Sequence, residues 1–414
     1  MTSPKLRTGH RRRLGAAARL AAWAEGGRDR NRPLAWFHAS SVGEGLQAES
    51  VLLELGRFVP ACQLVYTYFS PSAERLAARL PVAAADYLPY DRPAAADRLL
   101  DALAPDLLVF AKLDLWPELA TRAARRGTTV ALVAATVSAG SGRLRWPARP
   151  LLRAGYAAVG AAAAVAEPDA ARLVRLGVAA DRIRVLGDPR FDSAAARVAA
   201  VAPDDPLLGL GHGAPTLVAG STWAADELVL LDAFARLRVR RPEARLIVVP
   251  HEPTPAHLAA LDAAAEEARL PRPVRLSAGG AAATLLVVDS VGQLATLYGA
   301  GTMAYVGGGF GRAGLHSVLE PAAWGVPVAF GPRWRDSRDA ALLLEGGAAA
   351  ALGSHDRRPA ANELLRYWEE LLDDDPRRAA QGRRARQVVM EGLGAARRTA
   401  ELLAGIISSP RPGR

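Results

Sequence analysis

The sequence predicts an α/β chain of two doubly wound, parallel-sheet domains. Three observations predict it: short apolar runs alternate with helical patterns from end to end, a Pro-, Gly- and Asp-rich break lies near the middle, and the length is 414 residues. Strands that are apolar throughout, with helices between them, belong to parallel sheets covered on both faces. A chain this long exceeds one ordinary core and suits two domains of about 150 to 200 residues each.

The strand candidates of the first half are 34–40 (LAWFHAS), 63–69 (QLVYTYF), 107–113 (LLVFAKL), 129–135 (TVALVAA), 157–166 (AAVGAAAAVA) and 182–187 (RIRVLG). Helical stretches at 45–58, 94–104 and 168–177 separate them. Residues 192–215 then break the rhythm. A second alternation follows, with strands at 216–222 (TLVAGST), 245–251, 284–290, 303–309 and 326–332, a long helix over 226–239, and closing helices at 361–374 and 377–406 before a Pro-rich tail. The expected organisation is a basic amphipathic segment 1–32, a Rossmann-like domain 33–195, a linker 196–215, a second Rossmann-like domain 216–390, and a C-terminal helix and tail 391–414. Folds of this kind bind ligands at the carboxyl ends of their strands, so an interdomain cleft is the expected site.

Composition narrows the class. Half of the residues are hydrophobic and 23% charged, which is globular rather than disordered or fibrous. The one cysteine, Cys62, cannot make an internal disulfide, which favours a reducing compartment. No run of 18 apolar residues occurs, so no transmembrane helix is expected. Most of the net charge of +10 sits in residues 1–32, where Lys5, Arg7, Arg11, Arg12, Arg13, Arg19, Arg28, Arg30 and Arg32 face only Glu25 and Asp29, a local net of +7. Such a patch is either a solvated terminus or a surface for anionic lipid, where each basic residue contributes roughly 1 kcal/mol. Residues 14–24 (LGAAARLAAWA) read as an amphipathic helix able to lie on a membrane. Nucleic acid is not expected as a partner, because aromatic residues hardly interleave with this patch: Trp23 stands nearly alone.

Three segments carry candidate chemistry. In 35–49 (AWFHASSVGEGLQAE), a turn of Ser40, Ser41 and Gly43 follows a strand and leads into a helix that starts with Glu44. Backbone N–H groups at such a turn favour an anion. Glu44 is either a helix-start residue stabilising the dipole by roughly 0.3–1 kcal/mol, or a general base that reaches a hydroxyl. In the second half, Ser221 and Thr222 end a strand ahead of Asp226 and Glu227. The run 307–321 (GGGFGRAGLHSVLEP) supplies Gly308 and Gly309 in a glycine turn, then His316, Ser317 and Glu320, expected at a helix start. Glycines allow close approach of a phosphate, and the two oxygens of Glu320 suit a ribose diol. His316 is either a ligand group or a buried structural imidazole.

Taken in order, WFHASSVGE, 87–119 (YLPYDRPAAADRLLDALAPDLLVFAKLDLWPEL), VLGDPRFD, AGSTWAADE, VVPHEP, DSVGQLATLYGAG, YVGGG and HSVLEPAAWGVPVAFGP resemble the 3-deoxy-D-manno-octulosonic acid (Kdo) transferases, glycosyltransferase family 30, over roughly residues 30–350. The resemblance implies the GT-B fold and an inverting, metal-independent transfer from CMP-Kdo to a lipid A precursor in lipopolysaccharide core synthesis, with no cofactor beyond the CMP-Kdo donor. Glu44 falls on the family's catalytic carboxylate. Ser40, Ser41, Gly43, Lys112 and Asp114 fall on its acceptor or sugar side. Ser221, Thr222, His251, Gly292, Gly308, Gly309, His316, Ser317 and Glu320 fall on its nucleotide side. The segment 5–15 (KLRTGHRRRLG) is similar to the stretch after the family's membrane anchor, which implies peripheral attachment at the cytoplasmic face of the inner membrane through the basic N-terminus.

The sequence also departs from the family. Lys112 stands where a glutamate is usual, Glu118 and Ser317 where asparagines are, and VPHEP replaces V-P-R-H-P, which puts His251 at an arginine position. These changes leave open a related transferase with another activated sugar or glycolipid acceptor. The basic terminus leaves open a GT-B-like protein that binds anionic lipid without catalysis. Lys112 itself is either a surface lysine whose stem packs or a cation that faces the site.

Overall fold

The computed structural model describes residues 4–211, 213–280, 282–311 and 314–408, with side chains from residue 7 onward. Residues 409–414 of the expected tail and the Lys5 side chain lie outside this description. The chain divides into a first unit, residues 1–193 with 392–414, and a second, residues 194–391.

The first unit is built on β1 (Leu34–His38), β2 (Gln63–Tyr68), β3 (Ala84–Tyr87), β4 (Leu107–Ala111), β5 (Thr129–Ala135), β6 (Val159–Ala164) and β7 (Ile183–Val185), in the order β3-β2-β1-β4-β5-β6-β7. The second uses β8 (Thr216–Thr222), β9 (Arg245–Pro250), β10 (Val274–Arg275), β11 (Leu285–Val287), β12 (Met303–Val306), β13 (Val328–Phe330) and β14 (Ala349–Ala351), in the order β10-β11-β9-β8-β12-β13-β14. Neighbouring strands in both sheets pair in parallel, as β1 does with β2 and β4, and β8 with β9 and β12. The central strands read as unbroken apolar runs because helices cover both faces. Trp36, Leu108 and Phe110 enter one core layer of the first unit and Phe37, Tyr66 and Val109 the other, as side chains alternate across a strand.

In each sheet the strand order reverses beside the first strand, between β1 and β4 and between β8 and β12. Loops leaving the carboxyl ends there diverge, and such switch points are where doubly wound folds bind ligands.

The strands Ala84–Tyr87, Val274–Arg275 and Ala349–Ala351 were not expected, and three further departures concern how the units are bounded. The expected helix 377–406 is two helices, Asp375–Glu391 and Ala395–Ser408. The break comes at Gly392, where a Cβ would stand 2.4 Å from the Phe191 ring, and at Gly394, which has φ +87°. The Asp192 carboxylate accepts from the N–H groups of Gly394 (2.7 Å) and Ala396 (3.0 Å), capping a last helix whose Ala396, Ala400 and Leu403 pack into the first unit. Residues 196–199 of the expected linker continue the helix Pro189–Ala199, and the second unit begins at Ala194.

The third departure is the N-terminal segment. It forms two helices, Pro4–Arg13 and Ala16–Gly27, but the second does not keep a free apolar face: Leu20 and Ala24 pack against Leu99, Leu100 and Leu103. Much of the positive charge is also bonded to the domain, with Arg13 and Arg28 buried and Arg12, Arg19, Arg30 and Arg32 still exposed. Arg13 donates to the Phe69 carbonyl at 2.7 Å and lies 3.8 Å over the Phe69 ring. Arg12 pairs with Glu74 at 2.5 Å and Arg19 with both oxygens of Asp86 at 2.7 and 2.8 Å. Arg28, Arg30 and Arg32 donate to the carbonyls of Leu103, Ala102 and Ala61, each at 2.8 Å. Six of the nine basic residues therefore hold the segment onto the domain.

Candidate functional site

In the first unit the site starts from β1, whose last residue is the fully buried His38. Ser41 is the N-cap of the helix Val42–Phe58, with extended φ −131° and ψ 174°. Its carbonyl accepts from the Gly45 N–H at 2.9 Å. The spacing Ser41-Val42-Gly43-Glu44 is that of a capping box, but here the Ser41 hydroxyl donates directly to the Glu44 carboxylate. That bond holds the carboxylate at the mouth of the helix, half-exposed. Gly43 beside it is exposed.

The end of β4 brings up the second carboxylate. Lys112 adopts φ +60°, left-handed backbone that costs a non-glycine residue roughly 1–2 kcal/mol. Its N–H donates to the Val133 carbonyl at 2.7 Å. The resulting turn swings Asp114 back to β1, where Ser40 donates to it and His38 Nε2 approaches to 3.3 Å. Burial pushes the Asp114 carboxyl up, but His38 and Ser40 outweigh it and hold it below the usual carboxylate range. His38 Nδ1 meets the Thr67 hydroxyl at 3.0 Å, and that hydroxyl accepts from Trp36 Nε1 at 2.9 Å. The Trp116 ring meets the His38 ring edge-on at 5.7 Å. No ion pair of Lys112 exists among the described residues. Ser40, Ser41, Glu44, Lys112 and Asp114 thus gather at one switch point. The sequence reading missed His38, Thr67 and Trp116; a histidine closing a wholly apolar strand was the available signal.

In the second unit the candidates follow the carboxyl ends of four adjacent strands, β11, β9, β8 and β12. Ser221 has φ +54°. Gly307 is required beside it, since a Cβ there would lie 2.3 Å from the Ser221 carbonyl oxygen. Gly308 has φ +94° and Gly309 abuts the Gly331 backbone, so both serve close packing of loops. Asp226, fully buried, ties this turn together: it accepts from the N–H groups of Gly308 (2.9 Å) and Trp223 (3.0 Å) and from the Tyr305 hydroxyl (3.0 Å).

His316 stacks on His251, ring centres 4.3 Å apart, and His251 on Trp223 at 4.8 Å. Trp223 Nε1 donates to His316 Nε2 at 3.1 Å, which places the proton of the neutral imidazole on Nδ1. Burial and then His251 hold the His316 pKa down at about 4. The outer His251 ring is exposed, as are Gly292 and Ser317.

Three other candidates are engaged inside the protein. Thr222 is buried and donates to Glu227 at 2.8 Å, which also faces His257 Nε2 at 2.9 Å. Glu320 pairs with Arg197 at 2.7 Å. The helix expected to begin near His316 begins at Leu319 and runs only to Trp324, where Gly325 in left-handed backbone, φ +75°, ends it; the His316 N–H is given instead to the Gly307 carbonyl at 3.1 Å. Sequence reasoning missed Trp223 and Arg197; the former lies within the quoted AGSTWAADE.

A histidine held neutral in the native state has a pH signature. Its ordinary value is 6.5, so unfolding releases it to take a proton. The stability it allows is full above about pH 6.5 and is lost as pH falls toward about 4. Urea midpoints at about pH 7.5 and pH 5 should therefore fall further for the parent than for His316→Gln. Equal falls in both proteins would show that the imidazole is not held neutral.

With this geometry in place, comparison with known proteins is informative. A family model described as 3-deoxy-D-manno-octulosonic-acid transferase (kdotransferase) matches residues 9–193. The 3-deoxy-D-manno-octulosonic acid transferase of Bordetella pertussis is 31% identical across 95% of this chain and 93% of its own length. That of Haemophilus influenzae is 25% identical across 89% and 86%. Among solved structures, a UDP-GlcNAc 2-epimerase of Neisseria meningitidis superposes with a TM-score of 0.63 at 12% identity, covering 91% of this chain and 99% of its own. A glycosyltransferase of Rickettsia africae gives 0.61 at 12%, covering 92% and 100%. At such identity these neighbours speak for the fold, which is GT-B-like as expected.

Proposed function

Because the chain belongs to the 3-deoxy-D-manno-octulosonic acid transferase family of glycosyltransferases, we propose that it transfers Kdo from CMP-Kdo to a lipid A precursor in lipopolysaccharide core synthesis, with Glu44 as general base and inversion at the sugar. The observation that carries this reading is the division of labour between two carboxylates at one switch point of the first sheet. Ser40 and His38 engage Asp114 and keep it ionised. Among the described residues Glu44 is hydrogen-bonded by Ser41 alone, and it has acceptor capacity left for a proton. In the proposed step Glu44 takes the proton from the acceptor hydroxyl. The oxygen forms its bond to the anomeric carbon on one face as the CMP phosphate leaves with the bonding electrons from the other. Fixed dipoles stabilise such a developing charge, and we assign to the neutral His316, with its proton on Nδ1, the role of one such donor.

A lipid acceptor fits peripheral attachment at the cytoplasmic face of the inner membrane; among the described residues no helix is long and apolar enough to cross one. Lys112 favours a second reading, in which the family's scaffold accepts another nucleotide-activated acidic sugar, since a strained cation without an ion pair stands where the family has glutamate. Purified protein incubated with CMP-Kdo and a tetra-acylated lipid A precursor should yield, by mass spectrometry, the acceptor extended by Kdo. No extension with CMP-Kdo, but extension with a different CMP-activated acidic sugar, would replace the first reading with the second.

A further inference from the structure

Between β5 and β6 the first unit carries a short turn, Gly142–Leu144, and the helix Ala148–Ala157. Leu144 and Leu152 pack inward and Tyr156 is buried. The outward side is unlike ordinary surface. Trp146 is 86% exposed and Leu151 74%, and Arg143, Arg145, Arg149 and Arg153 of the same segment are exposed too, Arg149 giving its Nε–H to the Arg175 carbonyl at 3.0 Å. No acidic residue occurs from 119 to 166. In the helices packed against this one, Glu118 is paired with Arg122, Asp169 accepts from the Val137 N–H, and the exposed Glu167 is one carboxylate against four exposed arginines. The surface therefore keeps its positive sign.

We propose that Trp146 and Leu151, together with the exposed Arg143, Arg145, Arg149 and Arg153 of the same segment, dock the first unit onto the anionic headgroup layer of a lipid bilayer. An indole prefers the membrane–water interface, where its ring meets acyl carbon and its N–H meets water. Guanidinium groups pair with lipid phosphates, often through two parallel bonds. A second copy of the chain fits poorly, since a twofold contact through this face would set arginine against arginine.

The position also suits a lipid acceptor. The helix packs on the segment that follows Asp114: a Cβ on Gly155 would stand 2.7 Å from the Leu115 side chain and 2.9 Å from Pro117. The docking surface thus adjoins the segment that leaves the sheet after Lys112 and Asp114. This last step rests on the glycolipid-acceptor reading above; the docking itself does not. It also gives the attachment a seat other than the N-terminal segment, where Leu20 and Ala24 pack inward and six of the nine basic residues are already engaged.

The test is sedimentation of the full chain with vesicles of phosphatidylcholine alone and of phosphatidylcholine with phosphatidylglycerol in equal parts. The parent should bind the mixed vesicles and bind them less as salt rises. Trp146→Ala with Leu151→Ala should lower partitioning about tenfold or more. Arg145→Gln with Arg153→Gln should lower it by about fivefold per charge, on the mixed vesicles only. Both pairs should melt with the parent, and Trp146→Phe should keep most of the binding. With acceptor dispersed in detergent both pairs should turn over at the parent rate, and slow only when acceptor is in vesicles. Unchanged partitioning of both pairs overturns the proposal, as does an equal loss of rate in detergent, or capture of a short oligonucleotide through these arginines with no vesicle binding. Sedimentation requires no turnover. A chain that binds vesicles through Trp146 yet transfers no Kdo would leave this surface standing and remove only the assigned reaction.

Discussion

Glu44→Gln is expected to lower kcat by about 10²–10⁴-fold, the usual size of a general-base effect, while KM for CMP-Kdo stays close to the parent value. The amide is the informative replacement. Its oxygen still accepts the hydrogen bond that the Ser41 hydroxyl gives the native carboxylate, so the entry to the helix Val42–Phe58 is preserved and basicity alone is lost. Loss in kcat and kcat/KM together is the mark of an interaction made only in the transition state. Asp114→Asn should behave differently. Asp114 is placed by His38 and Ser40 and held ionised, so its loss disturbs how the Ser40–Ser41 turn is set and should raise acceptor KM as well as lower kcat. A Glu44→Gln enzyme with near-parent kcat would remove Glu44 from the chemistry and leave it the dipole-stabilising residue that its place in the first helical turn also allows.

Much of this site was legible because local spacing carries it. A serine–glycine turn leaving an apolar strand announces an anion-friendly helix start, and Glu44 three residues after Ser41 is a local relation. His38 was not legible as a partner of Asp114, because that contact joins β1 to a turn after β4, like the Ser40–Asp114 bond that spans 74 residues. The same limit governs the fold. β1 and β4 stood out since all five residues of each are buried. β3 and β14 were missed: each is short and lies at or near a sheet edge, where half-exposed residues dilute the apolar run. The N-terminal arginines misled for another reason. Composition reports their charge, but Arg28, Arg30 and Arg32 are bound by backbone carbonyls, and a carbonyl has no letter in the sequence. The glycine triplet of the second unit was read as a ligand cradle, whereas Gly307 and Gly309 lie against the backbone of Ser221 and Gly331. Glycine signals close approach without saying what approaches.

Asp226 carries the largest expected effect on stability, and two substitutions separate its causes. It lies fully buried at the start of the helix Ala224–Arg240 and accepts from two backbone N–H groups and the Tyr305 hydroxyl. Asp226→Ala leaves three buried donors without an acceptor, at about 1–3 kcal/mol for each group that water cannot reach. A total of about 4 kcal/mol, at about 2–4 °C per kcal/mol for a unit of this size, lowers its melting point by roughly 8–16 °C. Asp226→Asn should be nearly neutral. The amide oxygen can keep both N–H bonds, and Tyr305, able to accept as well as donate, can turn to receive the amide N–H. Burial raises the Asp226 carboxyl above its ordinary value despite the opposing pull of its donors. The parent should accordingly lose some stability as pH rises from the usual carboxylate range through that raised native value, a loss absent from Asp226→Asn. Melting curves of the three proteins across that range decide the matter. If asparagine proves as damaging as alanine, the negative charge itself holds the Gly308 turn, and hydrogen-bond acceptance alone does not explain why a carboxylate sits in this core.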